Sequence, residues 1–290
     1  MSKTTIGFIT NHRLPDKEDE KFLRIAKKVG VDVVVFNAAE DLNLERIKEE
    51  ANKCDVIFND EADYLSLELA KTLEVLGNSV VELSKSYYYT EDKWLFYLKC
   101  LENKIPVPET ILLSTDLVSI KKELEGFNHF PVVIKRIQGF HGDFVDKGDN
   151  TDEAIAVIKR FWEKGDDHFP ILAQEFIDSP SYRVFTIDGE VAQTAIKKST
   201  GWKKTGVSAT RFWKFKIDPE LQKILGKLKK ITDIAVCGID FAKKNDQWIV
   251  IEVNAEPSLK FFDGEYNLMI EKILKYLKKV ACAKQRKIQH

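Results

Sequence analysis

The sequence predicts a small parallel α/β domain followed by a larger α+β region, and three observations support this. Over residues 1–85 short apolar runs alternate with amphipathic stretches, which is typical of strands and helices in turn. The run VDVVVF at 31–36 is apolar on both faces, as expected of a strand in a parallel sheet covered by helices. Beyond residue 90 the pattern changes, and Asp188-Gly189 between two apolar runs predicts an antiparallel hairpin.

The first region contains four predicted strands, at 5–9, 31–36, 56–58 and 80–83, separated by helices at 18–29, 44–52 and 65–76. Polar residues follow two of these strands, at 10–13 (TNHR) and 59–61 (NDE). Ligands gather at the carboxyl ends of strands in open α/β sheets, which favours a binding role. The same residues equally suit solvated loops that cap the next helices, and the sequence leaves both interpretations open.

The second region begins with a predicted helix at 91–103, which Pro106 and Pro108 end because proline cannot continue a helix. Further helices are predicted at 117–124, 152–162, 220–235 and 267–280, and strands at 110–113, 131–134, 171–176, 183–187, 190–196, 238–242 and 248–253. A loop is predicted at 138–148. The basic, polar stretch from residue 278 to the end is expected to fray.

The composition argues against several classes of protein, including nucleic-acid-binding, zinc-binding, disulfide-rich and membrane-spanning proteins. The 45 basic and 46 acidic side chains nearly cancel, so no overall field points to a nucleic acid or a membrane. The four cysteines are scattered without a CxxC pair, which argues against structural zinc and a disulfide framework. No apolar stretch approaches the ~20 residues of a membrane span. We therefore expect an ordinary globular protein of the reducing cytoplasm, with specificity in local sites.

The strongest local signal is GIDF at 238–241 followed by IEVNAEP at 251–257. Alternate residues of a strand share a face, so Glu252 and Asn254 point the same way. If the strand of Asp240 pairs with theirs as a hairpin, three oxygen ligands converge, which suits magnesium. A solvated acidic strand face would explain one carboxylate but poorly explains three oxygen ligands among apolar neighbours.

A second signal is FPVVIK at 130–135, in which Lys135 ends a buried strand ahead of Gly139 and Gly142. A lysine there reaches phosphate as a point charge, while backbone N–H groups of a glycine-bearing loop surround a polyphosphate. Alone the signal is weak, because a lysine at a strand end often only extends its charge to solvent. Third, the strand ILAQEFI at 171–177 can present backbone groups to adenine, with Phe176 and Ile177 as walls. Taken singly, this segment favours a plain core strand.

Taken in order, these segments resemble the ATP-grasp ligases, most closely the RimK-type glutamate ligases with their glutathione-synthetase-like and LysX-like relatives. The similarity runs from Asp92-Lys93 through FPVVIK, ILAQEFI and GIDF to IEVNAEP, over nearly all of residues 90–262. It implies a pre-ATP-grasp α/β domain at 1–85 and a two-subdomain ATP-grasp fold, with the phosphate loop in 86–170, the metal site in 171–282 and a basic tail at 283–290.

The resemblance also implies roles for single residues. ATP would be bound by Lys93, Lys135, Gly139, Gly142, Glu175, Phe176, Ile177 and Ser181. Arg183 and Lys203 would act catalytically beside the transferred phosphate, with Lys198 nearby in a loosely aligned loop. Asp240, Glu252 and Asn254 would hold magnesium, or manganese in its place.

The sequence departs from the family pattern at three places. Phe140 and Phe144 stand in the phosphate loop where relatives have a small hydroxyl residue and a glycine. The bulk of both residues limits how closely the loop backbone can approach the phosphates. Ser181 takes the position of a ribose-contacting aspartate, unless Asp178 fills it. Ser258 stands where relatives often have glycine.

The implied activity is joining a carboxylate to an amine with ATP and magnesium, through an acyl phosphate, on small-molecule or peptide substrates. Two alternatives remain open at this point: a small-molecule kinase of the same fold, and a nucleotide-binding regulator without turnover. No general base is assigned, since His141 suits either a proton acceptor or a solvated loop residue. A homo-oligomer is compatible with the sequence.

Overall fold

The computed structural model describes residues 3–12, 17–40, 42–138, 144–164, 168–198, 201–202, 211–262 and 264–288. Its strands are β1 (Thr5–Thr10), β2 (Asp32–Asn37), β3 (Val56–Asn59), β4 (Val80–Val81), β5 (Thr110–Leu112), β6 (Val132–Arg136), β7 (Val145–Gly148), β8 (Ile171–Glu175), β9 (Ser181–Ile187), β10 (Glu190–Lys198), β11 (Arg211–Trp213), β12 (Val236–Lys244) and β13 (Gln247–Asn254). Its helices are α1 (Lys17–Lys28), α2 (Leu44–Ala51), α3 (Tyr64–Val75), α4 (Tyr88–Glu91), α5 (Lys93–Glu102), α6 (Leu117–Phe127), α7 (Thr151–Lys164), α8 (Pro219–Thr232) and α9 (Glu265–Ile288). The predicted combination of a parallel α/β part and an antiparallel α+β part is confirmed.

The N-terminal sheet has the order β2-β1-β3-β4, and all its strand pairs are parallel. Its strands are apolar on both faces because helices cover each side. On one side the rings of Phe8, Phe22 and Phe58 pack together in a core that includes residues of α9. Since β1 and β3 are neighbours, the loops that follow them lie side by side at the carboxyl edge of the sheet.

The second sheet has the order β5-β8-β6-β7 and is antiparallel. Its strand β7 lies within the segment predicted as loop, so that prediction is wrong over 145–148. The sequence VDKG has no apolar alternation, and it becomes a strand only because β6 offers it a pairing edge, with Lys135 opposite Val145. Strand β8 follows the boundary placed at residue 170, yet it hydrogen-bonds into this sheet between β5 and β6. A boundary after residue 178 would keep the sheet whole.

The third sheet has the order β11-β10-β9-β12-β13 and is antiparallel throughout. The predicted hairpin between β9 and β10 turns at Asp188 and Gly189, both with positive φ. Helix α8 covers one face and begins at Asp218, whose side chain accepts a hydrogen bond from the Leu221 N–H.

The expectation of a frayed tail is wrong within the described residues, because α9 continues to Ile288. The apolar residues Ile273, Leu274 and Leu277 of α9 are buried against the N-terminal sheet, and this packing stabilises the helix. The basic composition of the segment that follows gives no sign of it. None of the helices described is both long enough and apolar enough to cross a bilayer.

A buried carboxylate fixes the N-terminal sheet against the third sheet. Glu82, after β4, is 3% exposed and accepts hydrogen bonds from the backbone N–H groups of Ala235 and Val236 at 3.1 and 2.7 Å. Burial raises the pKa of Glu82 to about 8, against the opposing effect of these two donors. The contact sets the position of the loop edge of the first sheet relative to β12.

Candidate active site

A cavity of about 830 Å³ is lined by residues from all three sheets. It receives the loops after β1 and β3 from the N-terminal sheet, β6 and β8 from the second, and β9, β10, β12 and β13 from the third. The predicted site residues with described side chains that line it are Lys93, Lys135, Glu175, Phe176, Ile177, Ser181, Arg183, Asp240, Glu252 and Asn254. The structure therefore brings together ten residues that are spread over more than 160 positions of sequence.

Three charged side chains form a buried cluster on one face of the third sheet. Arg183 on β9 lies opposite Asp240 on β12, and its Nε and Nη2 each donate to one carboxylate oxygen of Asp240 at 2.6 Å. Lys197 on β10 donates to the same carboxylate at 2.8 Å. Burial would raise the pKa of Asp240, but Arg183 and Lys197 outweigh it and hold this pKa well below its usual range. Asp240 is therefore an anion locked between two cations.

The expected hairpin between the strands of Asp240 and Glu252 is present, with these two residues directly opposite each other and Asn254 opposite Gly238. A register irregularity follows Asp240, a feature frequent beside active sites. Among the residues described, none donates a hydrogen bond or forms an ion pair with the Glu252 carboxylate. The Asn254 Nδ2 donates to the Gly238 carbonyl at 3.3 Å, which leaves its oxygen to face a cation.

This donor set fits a hard divalent cation. Two carboxylates and one amide oxygen on adjacent rigid strands provide hard oxygen ligands and leave room for phosphate oxygens and water. Glu252 has no competing donor in the described part of the chain, whereas Asp240 already accepts three hydrogen bonds from Arg183 and Lys197. A metal ion at this position would share Asp240 with those two cations.

Lys135 is the penultimate residue of β6 and lines the cavity with only 8% of its surface exposed. Its Nζ donates to the Gln174 side-chain oxygen at 2.7 Å. Burial lowers the pKa of Lys135 to about 8, and Glu252 partly opposes this shift. Lys93 also lines the cavity, at the start of α5, where Asp92 caps the helix by accepting from the Leu95 N–H. A partly desolvated lysine beside a second lysine is suited to bind an anionic group such as phosphate.

The segment expected to bind adenine follows β8 along the cavity wall. Glu175 closes the strand, pairs with Lys244 and accepts weakly from the Glu109 N–H at 3.4 Å. Phe176 and Ile177 come next, and the Phe176 ring contacts Trp202 edge to face with centroids 6.3 Å apart. The backbone N–H groups of Glu175 and Phe176 already donate to the carbonyls of Glu109 and Pro131. What this segment offers a flat heteroaromatic ring is therefore its apolar, aromatic wall.

Phe144 occupies the position where the family pattern has glycine, and its backbone has φ of 51°. This left-handed region is where glycine is favoured, so the backbone keeps the glycine conformation while carrying a side chain. The ring packs edge to face against Phe161 and Phe169 in the core of the second sheet. The bulk of Phe144 is thus accommodated by that core.

Several predicted residues lie outside the described residues: Gly139, Gly142, Phe140, His141 and Lys203. Lys198 is placed on β10, opposite Arg211.

Lys197 was missed, although strand alternation contains the signal. The buried Ala195 and the 1% exposed Lys197 are two residues apart on β10 and therefore share a face. Glu91 was also missed; it lines the cavity, and burial raises its pKa to about 7 against the effect of Lys93. Asp60 and Glu61, from the loop after β3, line the cavity as well, which favours the binding interpretation of that loop.

Comparisons with known proteins agree with this geometry. A model of the RimK-like ATP-grasp domain matches residues 90–277. The coenzyme gamma-F420-2:alpha-L-glutamate ligase of Methanocaldococcus jannaschii is 28% identical over 251 residues, which are 81% of this chain and 85% of the relative. The alpha-aminoadipate–LysW ligase LysX of Saccharolobus solfataricus is 25% identical over 271 residues, covering 90% of this chain and 96% of LysX.

Solved structures share the fold. A RimK domain ATP-grasp protein of Sphaerobacter thermophilus superposes with a TM-score of 0.73 and 17% identity, over 94% of this chain and 99% of that one. The D-alanine–D-alanine ligase of Bacillus anthracis complexed with ATP also gives 0.73 at 17% identity, over 98% and 99%. At such low identity the likeness concerns the fold alone.

Proposed function

The chain belongs to the RimK-like ATP-grasp family, an ATP-binding fold of carboxylate-amine ligases, and we propose that it forms an amide bond through an acyl phosphate, with magnesium as cofactor. The proposed substrates are a small-molecule or peptide carboxylate and an amine. Release of ADP and phosphate completes the reaction.

One observation carries the proposal: the cationic and the metal-ligand side chains of the family pattern line a single cavity. Because all four line this cavity, Lys93 and Lys135 would bind nucleotide phosphates, and Glu252 with Asn254 would bind magnesium. The wall at 175–177 would contact the adenine ring. This set serves attack of a carboxylate on a terminal phosphate, since such chemistry needs positioning and charge neutralisation above all.

In the mechanism we propose, the chain positions reactants and offsets developing charge. Glu252 and Asn254, together with Asp240, would hold a magnesium ion, which would supply positive charge to neutralise the phosphate. Arg183 and Lys197 keep fixed positive charge at the same face, and their bonds to Asp240 hold both head groups in place before substrate arrives. A preorganised cation costs no reorganisation when charge develops in the transition state.

Hydroxylamine tests the proposal directly. An acyl phosphate is electrophilic, so hydroxylamine intercepts it and leaves a hydroxamate that is measured by mass spectrometry. The enzyme is incubated with ATP, magnesium and a panel of carboxylic acids that stimulates ADP release, with glutamate and short peptides among them because relatives are named glutamate ligases. Hydroxamate formation supports the proposal. A phosphoester without hydroxamate from an acid that stimulates ADP release contradicts it and identifies a kinase.

A further inference from the structure

We propose that the amine substrate carries a cationic group and that Glu61 and Asp60, at the carboxyl edge of the N-terminal sheet, bind it. The inference rests on the proposed function, since it assigns the amine of that reaction. It predicts a preference for diamines and basic amino acids over acidic ones.

The loops after β1 and β3 are built as one wall of the cavity. The Asn11 Nδ2 donates to the Asp63 carboxylate at 2.8 Å and ties the two loops together. Asn59 is fully buried, and its side-chain oxygen accepts from the Glu61 backbone N–H at 3.3 Å. The Tyr87 hydroxyl donates to the Asn59 carbonyl at 3.2 Å. These bonds fix Asp60 and Glu61 on the cavity surface without using either carboxylate.

Glu61 is a buried carboxylate with no donor within hydrogen-bonding distance among the described residues. Its exposed fraction is 7%, and the His12 imidazole lies beyond hydrogen-bonding distance, with Nδ1 at 3.9 Å from Oε1. Asp60, beside it in the cavity lining, likewise accepts no hydrogen bond from a described residue. Buried carboxylates normally accept hydrogen bonds or pair with a cation, because leaving them without partners is costly. A cationic ligand that enters the cavity would supply what both lack.

Among the described residues, the other charges around this wall are already engaged or of the same sign. The His12 imidazole contacts the Asp19 carboxylate at 3.3 Å, and Lys260 pairs with Glu18. Burial, with Glu256, Asp60, Asp63 and Asp19 adding to it, raises the pKa of Glu61 to about 9. Burial and a largely overlapping set of acidic neighbours raise the pKa of Asp60 well above its usual range. Asp19 and Glu256, which contribute to both shifts, make the local potential negative, and a bound cation would favour the ionised form of both carboxylates.

Lys135, in another part of the lining of the same cavity, has a different electrostatic environment. The charges that act on Lys135 are Glu252, Lys93 and Asp240, and none of them is among the acidic neighbours that act on Glu61. One cavity thus combines a cationic end suited to phosphate with an acidic wall suited to an ammonium or guanidinium group. A second carboxylate on the amine substrate would be repelled by this wall.

The surroundings favour an organic cation with an apolar stem. Phe8, Phe22 and Phe58, whose rings pack together, line the same cavity. Among the residues described, no three His, Cys, Asp or Glu side chains are arranged to hold a metal ion. Hydrocarbon next to unpaired carboxylates matches an alkyl ammonium or alkyl guanidinium group.

Matched pairs of probes test the charge requirement without knowledge of the acid substrate. The full chain is saturated with a non-hydrolysable ATP analogue and magnesium and titrated calorimetrically with 1,4-diaminobutane against 1,4-butanediol, L-lysine against L-norleucine, and L-arginine against L-citrulline. We expect at least one cationic probe to bind about tenfold or more tightly than its uncharged counterpart, since a bond to a charged group is worth about 1.5–3 kcal/mol. L-glutamate is expected to bind more weakly than the cationic probes.

Glu61→Gln and Asp60→Asn should each reduce the affinity ratio of cationic to uncharged probes by about tenfold, while the ATP analogue binds as before. Glu68→Gln is the matched control, because it deletes an exposed carboxylate of α3 that pairs only with Lys71 at the surface. Glu61→Gln removes no hydrogen bond from a described residue, so it should unfold at the same or a higher temperature than the parent. Equal affinity of all three probe pairs for the parent, or unchanged preference in both variants, overturns the inference.

The hydroxylamine assay separates this inference from the proposed function. Hydroxylamine is an uncharged nucleophile at neutral pH and does not depend on the acidic wall. Hydroxamate formed equally by the parent and by Glu61→Gln, together with loss of amide formation from a cationic amine, supports both ideas. Hydroxamate without any cation preference overturns the substrate assignment alone, and absence of hydroxamate from an acid that stimulates ADP release overturns the proposed function.

Discussion

Glu252 and Asp240 face each other across β12 and β13, and replacing each by its isosteric amide separates a site role from a structural one. The Glu252 carboxylate receives no hydrogen bond from a described residue, so Glu252→Gln should change the free energy of unfolding by less than about 1 kcal/mol. Asp240→Asn instead leaves Arg183 and Lys197 buried, at 8% and 1% exposure, without a counter-ion.

Removing one partner of a buried ion pair costs about 3–5 kcal/mol, and the asparagine oxygen retains at most part of the hydrogen bonding. We therefore expect Asp240→Asn to destabilise the protein by about 3 kcal/mol, which corresponds to a fall in Tm of roughly 6–12 °C. Both variants should lose turnover, because both delete a proposed magnesium ligand.

The assay combines ADP release with thermal unfolding of the same preparations. The expected result is two inactive proteins, of which only Asp240→Asn is destabilised. Equal losses of Tm would contradict the account of the ion cluster. Turnover of Glu252→Gln within about twofold of the parent would remove Glu252 from the metal site.

Three further predictions concern the phosphate side of the cavity. Because Lys135 has a pKa of about 8, its positive charge is lost as pH rises above that value, so the dissociation constant of a non-hydrolysable ATP analogue should rise above pH 8. Lys135→Met should weaken binding of the analogue about tenfold or more at pH 7 and abolish this pH dependence. A calorimetric titration that finds neither effect removes Lys135 from the site. Gly238→Ala should lower turnover and stability, since an added Cβ would lie 2.5 Å from the Arg183 Nη1. Kinetics like those of the parent would indicate that the hydrogen bonds of Arg183 to Asp240 tolerate displacement of the guanidinium group. Phe144→Gly relieves a positive φ but deletes the contact with Phe161, so we expect a net loss of Tm with ATP binding retained, and loss of ATP binding would place the ring in the phosphate site.

The sequence determined the fold class and most of the elements for local reasons. Alternating apolar runs and amphipathic stretches produce the parallel N-terminal sheet because each strand must bury both faces. The spacing in GIDF and IEVNAEP sets Glu252 and Asn254 on one face because side chains of a strand alternate. Such patterns are carried by neighbouring residues and need no knowledge of distant contacts.

Tertiary structure decided what depends on partners far away in sequence. Strand β7 exists because β6 offers a pairing edge, and α9 packs on the first sheet through apolar residues that extend to Ala281. Lys197 belongs to the site because its Nζ donates a hydrogen bond at 2.8 Å to Asp240, which lies 43 residues later in the sequence. The wall of Asp60 and Glu61 acquires its negative potential from acidic residues on other elements, such as Asp19 and Glu256. Desolvation and pairing across sheets arise only once the chain has folded, so no local pattern could reveal them.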